Sequence, residues 1–253
     1  MKMHILSGGR LRMRANVYLP DADRGATIEL PVSSILLRHR QANVLFDTGC
    51  HPSVADQAQE RWGGMAKVIT PIMGPSDNVI AGLSALGLCP EDVDIVVNSH
   101  FHPDHCGCNV FFRKAEIIVH DAELAAARAP DSAIRGYIPC EWDHPMPMRA
   151  IGAEHDLFGD GRIVLLPLPG HTPGTVGALA ALDRNGAFLL ASDAVSLRTH
   201  LDRDIVPRNT WNADAFIASL REIRRIEKAG ARVVCGHDAG QWQKLRTGAD
   251  AYD

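Results

Sequence analysis

Three imidazoles and a carboxylate fall within six residues of this chain, in Ser99-His100-Phe101-His102-Pro103-Asp104-His105-Cys106-Gly107. Nitrogen and oxygen donors crowded into one short turn suit zinc, iron, manganese or cobalt rather than calcium. In an extended stretch His100 and His102 can point to the same side, while Asp104 and His105 turn toward a second centre. Further donors stand 66, 88 and 132 residues after His105, as His171, Asp193 and His237. Chance alone seldom gathers five histidines and two aspartates in such positions. A purely structural zinc site would instead favour a cysteine-rich tetrahedral set.

Donors so far apart in the chain need rigid elements to bring them together. Short apolar runs bounded by turn residues read as buried strands: Val32–Leu37, Asn43–Phe46, Ile95–Val97, Glu116–Val119, Arg162–Leu166, Ala187–Leu190 and Ala231–Cys235. Helices are expected at Ser76–Leu86, stopped by Gly87, and at Asn212–Ala229, where Phe216, Leu220, Ile223 and Ile226 form one face. Phe46 runs into Asp47, Val97 into Asn98-Ser99-His100, Leu168 into Pro169-Gly170-His171, Leu190 into Ala191-Ser192-Asp193, and Cys235 into Gly236-His237. Five apolar segments thus each end in a small residue or turn and then a metal-competent side chain. Side by side on packed sheets, their ends would gather those groups at one edge, and strands hold a site better than loops do.

These segments, His-x-His-x-Asp-His with Gly-His-Thr-Pro-Gly, Ser-Asp-Ala and a late Gly-His-Asp, resemble the metallo-β-lactamase superfamily, and within it the N-acyl homoserine lactonases. The resemblance runs from Asp47-Thr48-Gly49 to Gly236-His237-Asp238. It implies an α/β fold, the four-layer αββα sandwich, as one domain over residues 1–253 with the site at a rim of two sheets. It also implies that His100, His102 and His171 hold one divalent metal, that Asp104, His105 and His237 hold another, and that Asp193 bridges them. Asp47 would fix a histidine ring from behind. Zinc is the first expectation, and cobalt, manganese and iron accept the same ligands. Metals so held lower the pKa of water from about 15.7 toward 7 and withdraw charge from a carbonyl oxygen, the chemistry of ester and lactone hydrolysis. Asp104 is the expected catalytic carboxylate, orienting the nucleophile or carrying a proton to the leaving group.

One position departs from the resemblance. The lactonases carry a tyrosine three residues after the bridging aspartate, where its hydroxyl contacts the substrate carbonyl; here Ser196 stands there. Serine is too short for that contact, and Tyr137 is the expected substitute. The segment Arg61–Met73 reads either as packing or as the lip of an apolar acyl pocket, with Trp62, Met65, Ile69 and Met73 as candidate contacts and Met13 joining from an N-terminal hairpin. The other seven histidines (His4, His39, His51, His120, His144, His155, His200) read as surface or hydrogen-bonded residues, with His51 nearest the site. Cys106, Cys108 and Cys235 read as packing residues.

The bulk numbers bound the remaining classes. With 46% hydrophobic and 22% charged residues, the chain can bury an ordinary globular core. A net charge of −4 with no basic stripe argues against nucleic acid as a partner. No apolar run reaches the 18 or so residues of a membrane span, and MKMHILSGGRLRMR lacks the apolar core of a signal peptide. Six unpatterned cysteines then fit reduced thiols and a cytoplasmic location. The expected activity is lactone hydrolysis, on acyl homoserine lactones first, by a monomer or homodimer. Next comes another hydrolase on the same scaffold, taking a different lactone, an aryl ester or a phosphotriester. Thioester cleavage is less favoured by the flanking sequence. A diiron flavoprotein of this superfold is disfavoured because that group has glutamate where His102 stands.

Overall fold

The computed structural model describes residues 1–253. β1 (Lys2–Arg14), β2 (Thr27–Arg38), β3 (Asn43–Phe46), β4 (Thr70–Pro71), β5 (Ile95–Val97), β6 (Glu116–His120) and β7 (Met148–Ile151) form one sheet, in the order β4-β1-β2-β3-β5-β6-β7. β8 (His155–Asp156), β9 (Ile163–Pro167), β10 (Val176–Leu182), β11 (Gly186–Ser192) and β12 (Arg232–Cys235) form the second, in the order β12-β11-β10-β9-β8.

The apolar runs are continuous because both faces of each sheet are covered. On β3, Val44 and Phe46 point into the layer between the sheets while Leu45 points outward. Ile118 and Ile117 divide the same way on β6. The inner layer joins Ile5, Ile35 and Val97 of the first sheet to Leu165, Ala178 and Leu190 of the second. Outside the first sheet, Val79 and Leu83 of the helix Val79–Ala85 cover Leu36, Leu45 and Val96. Outside the second, Phe216, Leu220, Ile223 and Ile226 of the helix Ala213–Lys228 cover Leu189, Val233 and Cys235. The layers therefore run helix, sheet, sheet, helix.

Caps set the helix bounds. Asn212 accepts from the Ala215 N–H at 2.9 Å, so the long helix starts where the sequence places it. Asn78 accepts from the Ala81 N–H at 3.0 Å, which starts the other helix three residues later than the expected Ser76. The expected strands all form. β10 was not among them, and β1 was expected only as the arm of an N-terminal hairpin: it reads as mixed polar and apolar because of Ser7-Gly8-Gly9, where a bulge shifts its register against β2. β10 reads as small residues, Val-Gly-Ala-Leu-Ala-Ala-Leu, whose burial depends on both flanking strands.

Candidate metal centre and its cavity

The ends of β3, β5 and β11, the turns after β9 and β12, and the short helix Pro103–Cys106 meet at one rim. At the end of β3, Asp47 takes a left-handed backbone conformation with φ 59°, and Ser192 at the end of β11 does so with φ 45°. Such conformations cost non-glycine residues about 1–3 kcal/mol and persist where the surroundings over-determine them. Asp47 meets that condition. Its carboxylate accepts from the Ser99 N–H at 2.7 Å, the Ser99 hydroxyl at 2.8 Å, His105 Nδ1–H at 2.9 Å and the Ser192 hydroxyl at 3.2 Å. Gly236 is required for closeness: a Cβ there would lie 2.5 Å from Asp193 Oδ1.

The structure brings all seven candidate ligands together. His100 Nε2 and His171 Nε2 lie 3.1 and 3.0 Å from His102 Nδ1. His105 Nε2 and His237 Nε2 lie 3.5 and 3.6 Å from Asp104 Oδ2. Asp193 stands between the trios, with Oδ1 at 3.0 Å from His237 Nε2 and Oδ2 at 3.4 Å from His171 Nε2. Four rings are aimed from behind. His100 Nδ1–H donates to the Ser99 hydroxyl, His102 Nε2–H to the Arg135 carbonyl, His105 Nδ1–H to Asp47 and His237 Nδ1–H to the Pro31 carbonyl. The other nitrogen of each ring faces the centre, where it is placed to ligate a metal. His105 Nε2 is buried with no hydrogen-bond partner, and His237 Nε2 and Asp193 Oδ1 face each other as a buried ion pair. Orphaned lone pairs in these positions are the arrangement a pair of cations would satisfy.

The electrostatics of the two trios differ. Burial lowers the pKa of His171 to about 3 and carries His100 down too, with neighbouring imidazoles adding to the effect at His100. Burial opposes the charged ring of His105 as well, but the carboxylates of Asp104, Asp47 and Asp193 together push it up to about 10. His237 is likewise raised, by Asp193 and Asp104 against burial. Burial disfavours the Asp193 carboxylate, yet His237 and His171 hold it well below the usual range.

A buried carboxylate unforeseen in the sequence ties one trio together. Glu123 accepts from the Phe101 N–H at 2.9 Å, between His100 and His102, and from the Thr172 hydroxyl at 2.6 Å and Gly174 N–H at 3.1 Å, just after His171. It lies in a helix, Asp121–Ala127, whose sequence gives no sign of a functional role.

The rim opens into a cavity of about 800 Å³. Met13, Met65 and Ile69 line it, and so does Tyr137, but the Tyr137 hydroxyl, expected to reach a substrate carbonyl, is buried instead. Three other candidate positions do not line it. Trp62 is turned into the protein, where its indole N–H donates to Glu141 at 2.8 Å. Met73 is packed against Gly9 in the cluster that holds Leu11 and Val54. Ser196 is buried and outside the cavity lining, with its carbonyl accepting the His237 N–H at 2.8 Å. Unforeseen lining residues are Tyr18, Val68, Ile134, Arg208 and Trp211, which come from turns and two one-turn helices with no periodic pattern to betray them.

The profile of the metallo-beta-lactamase superfamily matches residues 27–237, most of the chain and every strand end just described. The chain belongs to this superfamily. Among curated relatives, the N-acyl homoserine lactonase AttM of Azorhizobium caulinodans is 31% identical over 260 residues, covering 100% of this chain and 99% of its own. Among solved structures, an N-acyl homoserine lactone hydrolase with the product N-hexanoyl-L-homoserine at its catalytic metal centre superposes with a TM-score of 0.89. That match has 24% identity and covers 99% of this chain and 98% of the other. AidC, a dizinc quorum-quenching lactonase, aligns with a TM-score of 0.72 and 16% identity over 94% of this chain and 87% of its own. The metallo-β-lactamase αββα fold is thus the fold of this chain, and divalent metal ions are the cofactors its superfamily implies.

Proposed function

We propose that this chain is a dinuclear metal-dependent lactonase that opens the ring of N-acyl homoserine lactones and so quenches the signalling that depends on them. The observation that carries the hydrolase reading is the pair of three-donor clusters flanking one carboxylate, Asp193, with buried lone pairs left unsatisfied between them. The ring substrate is supported by full-length likeness to a curated N-acyl homoserine lactonase. In this reading His100, His102 and His171 hold one ion, Asp104, His105 and His237 the other, and Asp193 both.

Bound there, two divalent ions would supply a nucleophile from water at neutral pH and a Lewis acid for the carbonyl oxygen. Zinc is the favoured metal, given the nitrogen-rich donor set and the dizinc centre of AidC. The protein's own contributions follow from placement. Asp104 lines the cavity beside the clusters, where its carboxylate can take a proton from the nucleophile and return it to the departing alkoxide. Met13, Met65 and Ile69 offer an apolar surface to an acyl chain. The six cysteines, all free, fit a reducing compartment, and the reading places the enzyme in the cytoplasm.

A pH-stat comparison tests this. Metal-loaded protein and His105→Ala are given short- and long-chain acyl homoserine lactones, γ- and δ-lactones, an aryl ester and an aryl phosphotriester. Preferential opening of the acyl homoserine lactones, lost in the variant, is the expected result. Turnover of only the phosphotriester or aryl ester would replace this reading with another hydrolase on the same scaffold, which the buried Ser196 keeps open.

A further inference from the structure

The chain has three tyrosines, and their hydroxyls meet different fates. Tyr252 accepts the Arg246 N–H at 3.0 Å beside the edge of β1, far from the rim. Tyr137 lines the cavity, but its hydroxyl is fully buried and has no hydrogen-bond partner. Tyr18 is the third. It ends the one-turn helix Ala15–Tyr18 and lines the cavity together with Asp104 and Asp193.

Tyr18 is held as a working side chain would be. Its ring lies flat over His200 at 6.2 Å and edge-on to His237 at 6.2 Å. His200 Nε2–H donates to the Tyr18 carbonyl at 3.0 Å, the Arg208 N–H to the Val17 carbonyl at 2.7 Å, and the Arg208 guanidinium to the Pro20 carbonyl at 2.9 Å. The N-terminal arm is thereby clamped to the segment that follows β11, and the ring is 97% buried. Asp193, Asp104 and Asn209 line the same cavity as Tyr18. A phenol is a donor at neutral pH. A carbonyl attacked at this centre develops negative charge on its oxygen, and a preorganised donor is worth most where that charge appears.

We propose that Tyr18 is a catalytic residue whose hydroxyl hydrogen-bonds the carbonyl oxygen of the substrate as the ring opens. The role rests on the hydrolase reading above and adds to it a donor from an element outside all the ligand-bearing segments.

The test is Tyr18→Phe beside Tyr252→Phe, with metal content, Tm, kcat and KM measured on metal-loaded protein. Calorimetric binding of N-hexanoyl-L-homoserine is measured in parallel. Tyr18→Phe is expected to keep its metals and Tm, to lose about 10²–10³ in kcat with a smaller change in KM, and to bind the acyl homoserine at least tenfold more weakly. Tyr252→Phe is expected to match the wild type. Wild-type kcat and affinity in Tyr18→Phe would overturn the proposal, as would a fall in kcat matched by lost metal, which marks a structural role. If the wild type hydrolyses nothing in the panel, the hydrolase reading fails, while unchanged calorimetric affinity in Tyr18→Phe separately rejects the contact.

Discussion

The ligand rim and the cavity wall are built by opposite means. Four of the five imidazoles at the rim are braced from behind, and one carboxylate, Asp47, ties β3, Ser99, His105 and Ser192 into a single network. The wall is made of one-turn helices and turns around Ala15–Tyr18, Gly63–Lys67, Ser132–Arg135 and residues 208–211. The three large apolar side chains exposed on the whole surface, Val68, Ile134 and Trp211, all stand on this wall. The contrast separates a part that must hold charges within tenths of an ångström from a part that need only exclude water from an apolar chain. Stability and metal binding should therefore reside in the first, and substrate selection in the second.

The strongest test of that division is Asp47→Asn, which leaves the shape but weakens the brace on His105. Metal affinity by equilibrium dialysis, or kcat/KM at limiting metal, should fall about 10–100-fold. Unchanged affinity would mean that the network is ornamental and the rim no more organised than the wall. Next is Glu123→Gln, which puts an amide where a buried carboxylate accepts two backbone N–H groups and a hydroxyl. A cost of about 1–3 kcal/mol is expected, read as a Tm lowered by several degrees. Of the two metals proposed above, the one assigned to His100, His102 and His171 should also loosen, because only that side depends on Glu123.

On the wall, Ile134→Ser should leave Tm nearly unchanged, since Ile134 is 91% exposed. It should raise KM for a ten-carbon acyl substrate about fivefold, the equivalent of roughly 1 kcal/mol of apolar contact, and leave a four-carbon substrate unaffected. Equal effects on both lengths would remove Ile134 from the acyl surface.

The smallest effect is expected where the two regions join. His51 follows the Asp47–Gly49 turn, stacks on Phe111 and bonds Ser53 at the start of the wall helix Val54–Trp62. Burial, then the charges of Arg61 and His144, lowers its pKa to about 4. An unfolded histidine titrates near 6.5, so the neutral folded ring contributes stability above pH 6.5 that is lost as pH falls toward 4. His51→Gln should therefore shrink the Tm difference between pH 7 and pH 5. An unchanged difference would place that slope elsewhere.

The residues at the rim were readable in the sequence because a strand buried on both faces has an unmistakable composition, and the donor follows it directly in the chain. Val97-Asn98-Ser99-His100 and Leu190-Ala191-Ser192-Asp193 carry element, stop and candidate ligand in one local string. Glu123 was invisible because its partners are backbone N–H groups, which every sequence position offers. Trp62 and Met73 were misplaced because an apolar residue beside a cavity and one beneath its floor have the same local pattern; only the Glu141 carboxylate and the Gly9 bulge turn them inward. Tyr18 shows the limit most plainly. Composition and spacing pointed to a divalent-metal centre and to the strands that carry its candidate ligands, since both depend on residue type and local order. Which of three tyrosines faces those ligands depended on the N-terminal arm folding back against His200 and Arg208, some 180 residues away in the chain. No local pattern encodes such a contact, because its free energy exists only once both segments are in place.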